Sequence, residues 1–470
     1  MAGDDEDSDV HKRQAEELIG CAPSNNYIAI ADLTGEWLPG IQAAPSILLA
    51  FSEAGRYLAA ASGAPNPHPC LTHLDGLDKR LDVLANELNA HPHFREPYDA
   101  IRAIAVRLRE EAVQATSGTL GNPFRAGNPL DPEFGPETFR GRDGSIRELE
   151  EILADPSRRS SILLLAPRRC GKSSLLKMLP AKLPDTIPVY FDLQNHDVST
   201  NAKFFGNLAK EAAKQAKIHR RIDLPLLGEN PTFDQTQEWF EKLDQLPEGR
   251  RVLIGLDEFR RLEEVYQGTR AELIQLMGLL RATIQHRQRV FLLVSGDAPF
   301  DELDQVWNDH FINARPVRLG YLDRETSIAL LHAPTKDFPK DAIPEEVAAA
   351  IYERTGGQPF LLQAFGSSLV DWLGQQMRTV ATPADVAIVE PRVLDWASTY
   401  FSDLFDKAPD YAKTAIAALG ERRPIELDGP TRRWLDRRCL LDANNELAVP
   451  MFAAWLRSQG YIASAAAASQ

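Results

Sequence analysis

The chain has 470 residues, 44% of them hydrophobic and 25% charged, with a formal net charge of −15. That length exceeds one ordinary domain and implies about three. The acidic balance excludes a whole-molecule attraction to nucleic acid, though a local basic face is compatible with it. No apolar run approaches the roughly 20 residues of a membrane span, and the acidic start MAGDDEDSD is no secretory signal. Four scattered cysteines (Cys21, Cys70, Cys170, Cys439) form no CxxC pair. This argues against a disulfide scaffold or zinc ribbon and fits a reducing, cytoplasmic setting.

Residues 1–11 read as a solvated acidic tail and 12–117 as a helical N-terminal domain. An apolar helix is expected over Ser46–Ala61, ending at a proline-rich break, APNPHP. In the next segment Leu74, Leu77, Leu81, Leu84 and Leu88 follow a 3-4-3-4 spacing that puts all five on one helix face. A further helix sets Tyr98, Ile101, Ile104 or Ala105, and Leu108 on one face, so a helical hairpin packed on itself is expected. His68, His73, His91 and His93 show no repeated ligand spacing, and His91-Pro92-His93 reads as loop. Residues 118–138, around NPFRAGNPLDPEFGPET, are rich in Gly, Pro and Asn and read as an extended linker.

From 139 to 330 short apolar strands alternate with helices: SILLLA, IPVYFDL, RVLIGLDE, RVFLLVSG and PVRLGYL. Such alternation implies an α/β core with a parallel sheet covered on both faces. A helical region follows over 331–404. Over 405–462 the order is helix, helix, then a small hairpin around DANNEL, which is the order of a winged helix. Residues 463–470 read as a flexible tail.

The chemistry concentrates in the core. LLLAPRRCGKSSLLKML approaches the phosphate-loop pattern G-x-x-x-x-G-K-[ST], with Ala166 where the first glycine is usual. Pro167, Arg168, Arg169, Cys170 and Gly171 form the loop, and Lys172, Ser173 and Ser174 open a helix behind a buried strand. Backbone amides then converge on one anion. Lys172 can reach terminal phosphates, and the Ser173 hydroxyl can hold Mg²⁺. One added methyl at Ala166 is compatible with the cradle. The strand RVLIGLDE ends in Asp257, placed to support Mg²⁺, and Glu258, placed to polarise a water as general base. Ser295 ends the next strand, where it could sense a γ-phosphate. Arg260 and Arg261 read as solvated, although they could reach a neighbouring subunit.

These motifs together resemble the STAND branch of AAA+-like P-loop ATPases, the signal-transduction ATPases with numerous domains. The resemblance runs over roughly 120–460. It rests on Phe139-Arg140-Gly141-Arg142 (a G-R motif), the Lys172-Ser173 loop, Asp257-Glu258, and Gly357-Gln358-Pro359 (a G-x-P motif). It implies strand order 5-1-4-3-2, a helical lid and a winged helix, with Arg142 and Pro359 reporting nucleotide state. It also implies a switch between ADP and ATP, bacterial signalling or antiviral defence as the setting, and a homo-oligomer when ATP is bound. An arginine after the sensor strand is missing from VSGDAPF.

The N-terminal helical domain reads as an adaptor for a protein effector or sensor. Over residues 405–460 nine Lys/Arg face eight Asp/Glu, a balance that favours a packing role for the winged helix over a DNA contact. The expected function is a slow, ATP-hydrolysing regulatory switch. The alternatives are a DNA-binding AAA+ ATPase (initiator, loader or transposition regulator) and a nucleotide-bound scaffold that does not hydrolyse.

Overall fold

A computed structural model describes residues 46–64, 67–88, 92–116, 120–133, 135–155, 161–247, 250–297, 299 and 302–463. The acidic tail, Cys21, His91 and residues 464–470 lie outside the described residues. The chain divides into two compact units, one of residues 1–123 with 370–379, the other of 124–369 with 380–470.

The first unit contains α1 (Ser46–Ser62), α2 (Pro67–Glu87) and α3 (Arg95–Thr116). The five leucines expected on one face, Leu74 to Leu88, are all buried. Helix α2 begins at Pro67, inside the expected proline-rich break. Proline is tolerated in a first turn, where its missing N–H would have no intrahelical acceptor. Gly76 lets α1 and α2 approach closely, since a Cβ there would lie 2.2 Å from the Tyr57 ring. Arg109 on α3 ties back to Asp75 and Asp78 on α2, at 2.9 and 2.6 Å.

The second unit is built on five parallel strands: β1 (Ile162–Leu165), β2 (Thr186–Asp192), β3 (Arg251–Asp257), β4 (Val290–Gly296) and β5 (Arg315–Arg318). Their spatial order is β2-β3-β4-β1-β5. Strand residues alternate between two cores, as the pleat requires. Ile162 and Leu164 of β1 join the core formed with α4 (Asp143–Ala154) and α5 (Lys172–Lys182). Leu163 and Leu165 join the opposite core, formed with α6 (Asn201–Arg220), α7 (Phe233–Asp244), α8 (Arg261–Val265), α9 (Arg270–His286) and α10 (Gln305–Phe311). Both faces are thus buried, which explains strands with no polar alternation. β5 is shorter than the apolar run PVRLGYL, and β3 stops at Asp257, so Glu258 lies beyond the strand.

Seven helices follow the sheet: α11 (Arg324–His332), α12 (Glu345–Thr355), α13 (Pro359–Gln375), α14 (Pro383–Asp406), α15 (Asp410–Gly420), α16 (Gly429–Arg437) and α17 (Pro450–Ser458). Between α16 and α17 one antiparallel bridge joins Leu441 to Leu447 across the DANNEL turn. Among the described residues no helix is long and apolar enough to cross a membrane.

Candidate functional site

The parallel register sets the site. β4 lies between β1 and β3, pairing Leu165 with Gly296 on one side and Asp257 with Ser295 on the other. The loop after β1 and the carboxylates after β3 therefore emerge at the same sheet end, where open α/β sheets bind ligands.

The loop turns on Gly171, whose φ of 90° is left-handed and favours glycine. Arg169, at φ 60°, carries strain that a side chain normally avoids. Ala166 is not among the positive-φ residues, so its methyl meets no backbone penalty. Its amide donates to Gly296 O at 3.3 Å, and its carbonyl accepts from Lys172 Nζ at 3.1 Å. Lys172 opens α5 and is buried. A buried ammonium in the first turn of a helix adds positive charge where the helix N-terminus already favours an anion.

The hydroxyl of Ser173 donates to Asp257 Oδ2 at 2.6 Å. The same oxygen accepts from Tyr190 Oη at 3.2 Å, while Asp257 Oδ1 accepts from the Glu258 amide at 3.1 Å. A serine hydroxyl beside a buried carboxylate is a hard-oxygen pair that suits Mg²⁺. Ser295 Oγ is fully buried and has no hydrogen-bond partner among the described residues. A polar atom left unpaired is costly, and here it sits in register with Asp257.

Glu258 adopts φ 55°, a strained conformation of the kind that collects at functional sites. Burial pushes its carboxyl above the usual range; Lys172 and Arg168 oppose that shift, whereas Asp257 and Asp297 reinforce it. Burial also works against ionisation of Asp297, but Lys172 and Arg168 outweigh it and hold that carboxyl low.

Arg142 is buried and donates to Gly320 O at 3.0 Å and Cys170 O at 2.9 Å. It clamps the phosphate loop to the segment after β5. Cys170 is fully buried, and burial pushes its thiol up to about 12. The segment before α13 reaches the loop too. Gln358 Nε2 donates to Arg169 O at 3.3 Å, and the Arg169 guanidinium lies 4.2 Å from the centre of the Phe360 ring. Gly357, at φ 78°, is forced, since a Cβ would lie 1.9 Å from Leu322 O.

Loop, carboxylates and helices enclose a cleft of about 590 Å³. Lys172, Ser173, Arg168 and Glu258 line one part, and Leu130, Phe139, Leu322, Leu330 and Pro359 supply apolar wall. The stretch expected as an extended linker forms part of this wall. Phe124 is buried in a notch at Gly366, where a Cβ would lie 2.6 Å from its ring. The Arg125 amide donates to Gln363 Oε1 at 2.9 Å and the Leu130 amide to Ser174 Oγ at 3.0 Å. Proline excludes a regular helix here, but not burial.

Sequence reasoning brought Lys172, Ser173, Asp257, Glu258, Ser295, Arg142 and Pro359 into consideration, and the structure places all of them around this sheet end. It missed three groups. Asp403 of α14 pairs with Arg168 at 2.7 Å, and Asp297 pairs with it at 3.2 Å. The second is the burial of the 124–130 stretch, which was expected only as an extended linker and entry segment leading to Arg142. The third is Tyr190, whose one visible signal is a phenol within the apolar run of β2.

No protein-family model and no curated protein sequence matches the chain. Solved structures do. A Walker-type ATPase of Pyrococcus abyssi is 19% identical, covering 70% of this chain and 99% of its own, with a TM-score of 0.50. The chain has the fold of a Walker-type ATPase. Weaker likenesses are the Orc1 protein of Aeropyrum pernix in complex with DNA (15% identical, 70% and 95% covered, TM-score 0.39) and a variant of RuvB from Thermotoga maritima (14%, 69% and 90%, TM-score 0.37).

Proposed function

We propose that the cleft binds ATP with Mg²⁺ and that the protein is a slow ATPase acting as a regulatory switch of the STAND type. One observation carries the reading: Ser173 Oγ and Asp257 meet at 2.6 Å beside buried Lys172, with Glu258 next in sequence. In this reading the loop amides of 166–174 and Lys172 bind phosphates, and Ser173 and Asp257 hold the metal. Bound Mg²⁺ neutralises charge on the phosphate oxygens. Glu258 accepts a proton from the attacking water, and Ser295 faces the terminal phosphate. The apolar wall takes the base, and Pro359 and Arg142 carry nucleotide state to the helices beyond the sheet.

Residues 331–404 act as the lid and 405–462 as a winged helix that packs rather than binds DNA. Arg423 is engaged by Glu421, and Arg437 and Arg438 both donate to Glu302. Carboxylates thus engage three of the six arginines in the doublets Arg422-Arg423, Arg432-Arg433 and Arg437-Arg438, which supports packing over phosphate contact. The helical domain of 12–117 would recruit a separate effector or sensor. ATP-driven homo-oligomerisation in bacterial signalling or antiviral defence is the setting the motifs suggest.

The test is to purify the full chain, identify any bound nucleotide, and weigh it in solution with ADP and with ATP. Bound ADP and a larger assembly with ATP are expected. A constant mass with no nucleotide affinity refutes the switch. Salt-sensitive DNA retention lost on Arg432→Glu with Arg433→Glu would move the assignment to the DNA-binding alternative.

A further inference from the structure

We propose that Tyr190 is a positioning residue for the metal site: its hydroxyl fixes the rotamer of Asp257, and so sets how tightly Mg²⁺ is held with nucleotide. The inference rests on the ATP·Mg²⁺ reading above and adds a residue that no phosphate-loop motif contains.

Asp257 receives three donors from three parts of the fold. Ser173 comes from α5, the Glu258 amide from the turn after β3, and Tyr190 Oη from β2. Two of these are compromised as anchors. Ser173 must also offer a lone pair to the metal, and Glu258 sits in a strained turn at φ 55°. Of the three donors, Tyr190 alone neither offers a lone pair to the metal in this reading nor sits in a strained turn.

Tyr190 is itself held from several sides. β2 is an edge strand of the sheet, so its outward backbone groups have no neighbouring strand. At Tyr190 the side chain of Gln215 takes that neighbour's place. Tyr190 N donates to Gln215 Oε1 at 2.8 Å, and Gln215 Nε2 donates to Tyr190 O at 2.7 Å. Gln215 is itself buried on α6. The Lys177 ammonium lies 5.3 Å from the Tyr190 ring centre, a cation–π distance. Backbone, ring and hydroxyl are therefore each fixed by a different partner. A phenol so constrained, donating to a carboxylate, transmits rigidity to that carboxylate, as the outer partners of metal ligands commonly do.

Tyr190→Phe keeps ring, packing and backbone clamp and removes only the donor. The experiment titrates ATP into the full-length wild type, Tyr190→Phe and Lys172→Ala by calorimetry, in EDTA and across a Mg²⁺ series. For Tyr190→Phe the Mg²⁺ concentration giving half the metal-dependent gain in ATP affinity should rise roughly tenfold, the worth of one charge-assisted hydrogen bond. Its affinity in EDTA should stay within about twofold of wild type, since no phosphate contact changes. A Mg²⁺ dependence coinciding with wild type overturns the proposal. So does an equal loss with and without Mg²⁺, which would make the contact merely structural. Lys172→Ala separates the two levels of inference: if it binds ATP as well as wild type, the ATP reading itself fails.

Discussion

Replacing Asp403 by asparagine should tighten ATP binding, although the substitution removes an ion pair. Arg168 Nη1 lies 2.7 Å from Asp403 and its Nε 3.2 Å from Asp297, within the loop expected to cradle phosphates. The Arg168 side chain is 45% exposed and that of Asp403 29%, so solvent screens the pair and breaking it costs only about 0.2–1 kcal/mol. The carboxylate does two things against an incoming polyphosphate: it competes for Arg168, and it places like charge in the same cleft. A unit charge ~6 Å from a phosphate charge repels by about 0.7–3 kcal/mol for an effective dielectric constant between about 80 and 20. Set against partial reorganisation of Arg168, a net gain of about 1–2 kcal/mol is expected, or roughly five- to thirtyfold in affinity. The assay is a calorimetric titration of ATP and ADP at low salt and at half-molar salt. ATP should gain more than ADP, and salt should shrink the difference. Unchanged or weaker ATP binding by Asp403→Asn would refute the argument and leave Asp403 a scaffold residue.

Three further outcomes follow from the same geometry. Burial raises the Glu258 carboxyl, so the native state is disfavoured as pH climbs through that raised value, and Glu258→Gln should melt higher than wild type at neutral pH. The difference should vanish in acid, and hydrolysis by the wild type should fall on acidification with a midpoint above that of an ordinary glutamate; equal melting curves at pH 7 would contradict this. Arg142→Ala leaves the carbonyls of Cys170 and Gly320 without their donors, at about 1.5–3 kcal/mol per charged bond lost, read as a lower melting temperature and weaker ATP binding. Lysine at that position should not rescue it, lacking the planar fork. Cys170, held near 12 and fully buried, should resist iodoacetamide in the native protein and react only on unfolding; rapid native labelling detected by mass spectrometry would contradict the buried placement.

Contiguous chemistry was legible in the sequence. A strand, a loop and a helix that follow one another bring Ala166–Ser174 together whatever the rest of the chain does, and the apolar run ending in Asp257-Glu258 announces a strand end carrying carboxylates. Five leucines at helical spacing likewise declared their buried face. Ala166 could be judged harmless from its size, and the structure supplies the reason: its backbone stays out of the left-handed region.

What tertiary structure decided is which distant side chains meet. Arg168 and Asp403 are 235 positions apart, and the Arg125 amide reaches Gln363 across 238. Spacing holds no information on such meetings, because they depend on the crossing of helices and on strand order rather than on periodicity. The 118–138 stretch shows the same limit. Its prolines leave no α-helix among the described residues, only a 3-10 turn over Pro136–Thr138, yet Phe124 is buried because a glycine on α13 leaves a notch of ring size. Tyr190 looked like one more residue of an apolar strand. Only the pairing of β2 with β3, which sets Asp192 level with Asp257, turns its hydroxyl toward the carboxylate it holds.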